Sequence, residues 1–214
     1  MDTLTQRLLS TYTGVVHDVM REQGFKSFVL PPDIRPLAAG VTLAGPIQTL
    51  EGRLGSFEAH ETLLGWTGFL SQAKAGHVIL CQPHNHEVAL MGELSGETLK
   101  RKGVLGYVVD GGCRDTEFLL RMGFATWHSF FTPKDVVGRW LPSGVDVPIR
   151  MGDVNVQPGD YFFGDRDGAL VIPAAHAEAI VDAAEAASGK ENLVRDNILS
   201  GMDPQQAYLK YGKF

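Results

Sequence analysis

Two cysteines in 214 residues, Cys81 and Cys113, are too few for a disulfide framework and fit a reducing compartment. No basic run exceeds Lys100-Arg101-Lys102, and the net charge is −6, which argues against nucleic acid as the main partner. No stretch approaches the length of about eighteen apolar residues that a membrane span needs, so none is expected. The opening Met1-Asp2-Thr3-Leu4 lacks the positive charge and apolar run of a secretory leader. From these absences a cytoplasmic protein is expected. Familiar catalytic signatures are missing too. There is no Gly-x-Gly-x-x-Gly, no Gly-Lys-Ser/Thr phosphate loop and no Gly-x-Ser-x-Gly elbow. His60-Glu61-Thr62-Leu63-Leu64 puts Leu64 where a zinc-protease helix needs its second histidine. Dinucleotide-driven hydride transfer, nucleotide hydrolysis and serine hydrolysis all fall in rank.

What is present is ordinary globular composition, 44% hydrophobic and 21% charged. The length suits one large domain or two small ones. With no internal repeat and no linker-like tract, a single domain is expected. Leu4, Leu8, Tyr12, Val15, Val16, Val19 and Met20 recur at helical spacing and predict one amphipathic helix ending at Gly24. Residues 41–50 read as a strand interrupted at Gly45-Pro46, and residues 56–73 as a helix. Next come a short strand at 77–81, a helix at 90–101 and a buried strand at 104–109. A short helix at 116–122 ends at Gly123, before a strand at 124–131. Residues 133–172, punctuated by proline and glycine, read as hairpin-rich β structure. A final helical stripe covers 174–199, where Ser188-Gly189 is expected to kink or break it. Alternating helices and buried strands indicate a sheet covered by helices, an α/β protein.

Chemistry concentrates in Arg114-Asp115, which follow the buried strand at 104–109 across Asp110-Gly111-Gly112-Cys113. Arginine offers a planar fork that grips a carboxylate bidentately. Aspartate offers the hard oxygen that Mg²⁺ or Mn²⁺ prefers. Strand carboxyl ends are where ligands collect in open α/β sheets. The same dipeptide also suits an N-cap on the helix beginning at Thr116, with Arg114 as a surface ion pair. Gly92-Glu93-Leu94-Ser95 would turn free backbone N–H groups toward an anion at a helix start. His84-Asn85-His86-Glu87 is a weaker metal-ligand possibility, and His86 or Glu87 a possible substrate contact. Cys113 reads as a small buried residue rather than an activated thiol.

With those residues in view, the chain resembles the RraA-like proteins, which include the 4-hydroxy-4-methyl-2-oxoglutarate aldolases. The likeness rests on Gly92-Glu93-Leu94, on Arg101-Lys102-Gly103-Val104 and on Val108 through Asp115. A second block runs from Val156-Gln157-Pro158-Gly159-Asp160-Tyr161 through Gly164-Asp165-Arg166-Asp167-Gly168 to Pro173. It covers roughly residues 10–200, with a helical tail beyond. The resemblance implies a single-domain α/β/β/α fold of swivelling-domain-like topology, assembled as a homotrimer or homohexamer with sites between subunits. It implies Mg²⁺, or another divalent cation such as Mn²⁺, held by Asp115. The pyruvyl end of a 2-oxo acid would be held by Arg114 and by Gly92, Glu93, Leu94 and Ser95. The implied activity is metal-dependent (class II) cleavage of a 4-hydroxy-2-oxo acid to release pyruvate, with oxaloacetate decarboxylation alongside.

In that chemistry Arg114, Asp115 and Glu93 are the catalytic candidates, Glu93 orienting or deprotonating the water that takes the substrate proton. No lysine stands in the motif, so a Schiff base is not expected. The alternative from another class is a non-catalytic regulator that binds a ribonuclease. Methyl transfer to a quinone is set aside, because no glycine-rich strand–helix turn is present to hold an S-adenosyl group. Two departures from the family pattern flank the site. His77 stands where an acidic residue commonly begins the central strand, and Gln82-Pro83-His84-Asn85-His86 replaces a glycine-rich turn.

Overall fold

The computed structural model describes residues 1–212. Helices α1 (Thr3–Leu8) and α2 (Thr13–Glu22) open the chain, followed by β1 (Arg35–Pro36) and the long β2 (Leu43–Leu54). Then come α3 (Ala59–Gln72), β3 (Val78–Gln82), β4 (Ala89–Met91), α4 (Glu93–Arg101), β5 (Gly106–Val109) and β6 (Gly112–Cys113). Helix α5 (Thr116–Met122) precedes β7 (Thr126–His128), β8 (Phe130–Phe131) and β9 (Trp140–Val145). The hairpin β10 (Ile149–Met151) and β11 (Val154–Val156) leads to β12 (Tyr161–Gly164) and β13 (Ala169–Ile172). A 3₁₀ turn, α6 (Ala177–Leu199) and α7 (Pro204–Tyr211) close the described chain.

The main sheet runs β1-β7-β5-β3-β2-β12-β13, and β9 also pairs with β2. Strands β2, β3, β5 and β7 are mutually parallel, as the long crossover connections through helices allow. Their side chains alternate between two cores. Ile79, Cys81, Tyr107 and Val109 face α3, α4 and α5, where Trp66, Phe69, Leu99 and Leu119 wait. Val78, Leu80 and Val108 face the opposite way, toward the β10–β11 hairpin and Phe162. A third core packs Leu8, Val16, Met20 and Ile180 of α1, α2 and α6 on Phe163 and Ile172 of β12 and β13. Burial on both faces is why these strands read as continuous apolar runs. The expected single-domain α/β fold is present.

Several boundaries differ from the periodicity. The first helix is two, because Asp165, from the loop after β12, accepts the Thr13 backbone N–H and hydroxyl at 2.8 Å and starts α2 afresh. Strand β2 passes unbroken through Gly45-Pro46, where it hands over from β12 to β3. Helix α6 also runs unbroken through Ser188-Gly189. A helical glycine costs only about 1 kcal/mol, and Ile180, Val181 and Ala184 on one side and Val194 on the other are buried.

The most consequential difference concerns the three parallel strands β3, β5 and β7. Each is interrupted and then resumes as a short strand. The resumed strands β4, β6 and β8 form a second, parallel sheet in the order β4-β6-β8. Predicted as part of a helix (residues 90–101) and of one strand (residues 124–131), β4 and β8 were hidden by their brevity. Gly112 of β6 is squeezed in the middle. A Cβ there would lie 2.7 Å from the Val88 carbonyl and 2.8 Å from the Phe130 ring.

Candidate functional site

The carboxyl ends of β4, β6 and β8 lie side by side and deliver three segments to one place. Gly92-Glu93-Leu94-Ser95 follows β4, Arg114-Asp115 follows the central β6, and Thr132-Pro133 follows β8. Backbone bonds bind the three together, with Arg114 N–H donating to Met91 O at 2.9 Å and Thr132 N–H to Cys113 O at 3.2 Å. Between the last two opens a cleft of about 350 Å³, lined by Cys113, Arg114, Asp115, Thr116, Phe131, Thr132 and Pro133. A hollow of about 390 Å³ between α2, α6 and α7, where Glu22, Gln23 and Lys190 join Ala183, Ala186 and Ala187 in its lining, lies away from these strand ends.

Asp115 occupies the position before α5, yet its side chain does not cap that helix. Its backbone is left-handed, with φ at 52°. Aspartate tolerates that region better than most residues, and such strain gathers at functional sites. The turn sends the carboxylate across to α4, where Oδ2 accepts the Glu93 backbone N–H at 3.2 Å. The N-cap alternative for Asp115 on its own helix is therefore corrected: the acid meets the positive start of the neighbouring helix instead.

Gly92 makes this approach possible. A Cβ at that residue would lie 2.6 Å from Asp115 Oδ2 and 3.2 Å from Arg114 Cγ. Arg114 Nε stands 3.5 Å from Asp115 Oδ2, while its Nη1 is 3.8 Å from Asp135 Oδ2 on the other side. Arg114 and Asp115 are each about 39% exposed at the side chain, open enough to meet a ligand.

The remaining candidates divide. Glu93 begins α4 beside Asp115, and Leu94 is 76% exposed at the same helix start. The Ser95 hydroxyl is turned away: it accepts the Trp66 indole N–H at 2.9 Å, so only its backbone remains to face a ligand. The His84–Glu87 cluster does not assemble as a metal site. His84 Nε2 meets Glu51 Oε1 at 2.9 Å, the His86 ring packs near Phe130, and Asn85 Oδ1 accepts the Glu87 and Val88 N–H groups. Among the described residues no group of three His, Cys, Asp or Glu side chains converges on an ion position. Burial pushes the Cys113 thiol up to about 12, which keeps it protonated and supports the packing role.

Asp135 and Arg139 escaped the sequence reading. They are four residues apart in a short irregular segment, a spacing with no distinctive signature. Only the alignment of β8 beside β6 brings Asp135 to Arg114.

His128, at the end of β7, lies against the Phe131 ring of the cleft wall, the ring centroids 4.3 Å apart. Burial lowers its pKa from the ordinary 6.5, opposed in part by the Phe130 backbone. The unfolded chain therefore takes up this proton first, so the contribution to stability is complete above about pH 6.5 and is lost as pH falls below it. Denaturant midpoints at about pH 7.5 and about pH 5.5 should fall less for His128→Gln than for the wild type. Equal losses in the two proteins would exclude this origin.

The sequence profile of the RraA-like family, described as Aldolase/RraA, matches residues 13–171. The chain belongs to the RraA-like family. Its relatives include protein DlpA of Legionella pneumophila, 24% identical over 212 residues, which cover 99% of this chain and 34% of DlpA. The 4-hydroxy-4-methyl-2-oxoglutarate aldolase of Thermus thermophilus is 32% identical over 105 residues, 49% of this chain and 63% of that protein. The chain thus spans only about a third of the one relative and under two thirds of the other. Among solved structures, Streptomyces coelicolor RraAS2, described as an unusual member of the RNase ES inhibitor RraA protein family, superposes with a TM-score of 0.82. It is 27% identical, and the match covers 92% of this chain and 98% of RraAS2. RraA-like proteins thus carry both aldolase and inhibitor names. Among the described residues no helix is long and apolar enough to cross a membrane.

Proposed function

We propose that this chain is a divalent-metal-dependent (class II) lyase that cleaves a 4-hydroxy-2-oxo acid and releases pyruvate, with oxaloacetate decarboxylation as a related activity. One observation carries the reading. The Asp115 carboxylate abandons its own helix for the start of α4, against Gly92, while lining the cleft together with Arg114.

Retro-aldol cleavage breaks the bond between C3 and C4 of the substrate. The C4 hydroxyl loses its proton and becomes a carbonyl, and the bonding electrons pass to the enolate of pyruvate, which is then protonated at C3. Arg114 grips the carboxylate and 2-oxo end through its fork and stabilises the negative charge that grows on the enolate oxygen. The backbone N–H groups of Leu94 and Ser95, in the first turn of α4, add donors for the same anionic end. Glu93 orients or deprotonates the water that takes the hydroxyl proton.

The donor set suits magnesium or manganese better than zinc. Asp115 offers hard oxygen, and no three-residue His, Cys, Asp or Glu cluster surrounds it among the described residues. Mg²⁺ accepts that arrangement, because it keeps several waters and takes one or two carboxylates. Zinc sites draw three or four protein ligands, often nitrogen or sulfur. When bound, the cation would act as a Lewis acid toward the developing enolate.

We further propose a cytoplasmic homotrimer or homohexamer. Leu94 and Phe131 are 76% and 64% exposed beside the cleft, where a neighbouring subunit would cover them.

The test is pyruvate formation from a panel of 4-hydroxy-2-oxo acids and oxaloacetate. Activity is expected to vanish with a chelator and to return with Mg²⁺ or Mn²⁺. Full activity in the chelator would remove the metal from the reading, and no pyruvate from any substrate would remove the lyase. The likeness to RraAS2 favours one second reading, a non-catalytic regulator that binds a ribonuclease. Such a protein would hold its partner without metal and tolerate Asp115→Ala in a pull-down.

A further inference from the structure

The end of β8 contributes more than a cleft wall. Asp135 lies two residues beyond Pro133 in a segment that is firmly held. The Ala89 N–H donates to Lys134 O at 2.8 Å, and the Val136 carbonyl accepts the N–H groups of Arg139 and the fully buried Trp140 at 3.0 Å. Within this segment Asp135 Oδ1 accepts the Val137 N–H at 3.2 Å and Arg139 Nη1 at 3.0 Å. Its other oxygen, Oδ2, faces Arg114 Nη1 at 3.8 Å, while Asp115 Oδ2 stands 3.5 Å from Nε. Direct charge-assisted hydrogen bonds run at about 2.7–2.9 Å. The guanidinium is therefore suspended between two carboxylates, and neither has closed on it.

We propose that Asp135 is a positioning residue for Arg114, an inference that rests on the 2-oxo acid reading above. By drawing Nη1 from one side, it keeps the guanidinium from collapsing onto Asp115 and leaves the rest of the fork facing the cleft. A flexible arginine beside a single acid would form the tighter pair and lose donors to it. Arg139 makes a second acid tolerable here. Arg139 pairs with Asp135 at 3.0 Å and offsets its charge, so Asp135 adds little repulsion toward an anionic substrate.

Asp135→Asn tests this, because it keeps the shape and the acceptor for Val137 while dropping the charge. The KM for the 2-oxo acid is expected to rise about tenfold, since the carboxylate grip is shared by ground and transition states, and kcat to fall as well because the same fork meets the enolate oxygen. Pyruvate binding followed by calorimetry, without turnover, should weaken by the same factor. Were Asp135 only a nearby negative charge, its removal would make the site more positive and tighten the anion, so an unchanged or lower KM overturns the assignment. Loss of kcat with both KM and pyruvate binding unchanged would mean that Arg114 keeps its grip on the substrate without Asp135, and overturns it equally. Arg139→Gln gives an independent reading if the first variant does not fold. Freed from its second partner, Asp135 would pull Arg114 over, and KM should again rise; a constant KM counts against the role. A wild type that neither binds pyruvate nor cleaves any 2-oxo acid would remove the lyase reading, and the Asp135 role with it. An active wild type with an indifferent Asp135→Asn would remove the Asp135 role alone.

Discussion

Arg114→Ala is expected to lower pyruvate formation by about 10²–10³-fold, the loss typical of removing one preorganised donor from a developing oxyanion. The same change should barely touch stability. Arg114 is 39% exposed, and its ion-pair distances of 3.5 and 3.8 Å are long, so its surface pairs are worth under about 1 kcal/mol. That separation of effects is the diagnostic. Asp115→Ala should match the loss of activity and should not be rescued by raising Mg²⁺ through the millimolar range. Steady-state rates beside thermal melting curves check both variants. If Arg114→Ala kept most of its activity with an unchanged melt, the cleft at the β6 end would not be the reacting centre, and the lyase assignment would fall.

The second large effect comes from a single methyl group. Gly92 has an extended backbone, φ −158°, so alanine meets no conformational strain there. Its Cβ would still lie 2.6 Å from Asp115 Oδ2 and 3.4 Å from Arg114 Nε. Both neighbours are partly exposed side chains that can shift, so Gly92→Ala should fold with nearly wild-type stability. In shifting, Asp115 loses the Glu93 N–H and Arg114 loses its aim. Displacements of about 1 Å at a reacting centre can cost roughly 10²-fold, and that is the expected drop in kcat/KM. A Gly92→Ala protein of normal activity would show that neither side chain needs its present place.

The two glycines nearest the site illustrate what was legible and what was not. A sequence reader sees Gly92 at a helix start, and infers a turn with anion-binding N–H groups there, and meets Gly112 only as part of the stretch before Arg114. The structure gives them other tasks. Gly112 lies at the centre of a three-stranded sheet with no room for a side chain, and Gly92 makes space for Asp115. The short helix at 116–122 and its stop at Gly123 were readable residue for residue, because its end signal is local. The break between α1 and α2 was not, because Asp165, which causes it, is about 150 residues away in sequence. His84 and His86 looked like ligands by spacing, yet they take separate partners once the loop is folded.

Residue order alone established the α/β class and the buried strands, whereas the resemblance to the RraA-like proteins is what raised Arg114-Asp115 and the Gly92 turn above a helix cap as site candidates. The class and the strands follow from side-chain hydrophobicity and period, properties that each residue carries with it. Only the tertiary structure decided that β3, β5 and β7 resume as β4, β6 and β8, that Asp115 serves a neighbouring helix, and that Asp135 stands beside Arg114. Those facts depend on which strand ends lie next to one another, and adjacency across a sheet is set by long-range packing that no local pattern encodes.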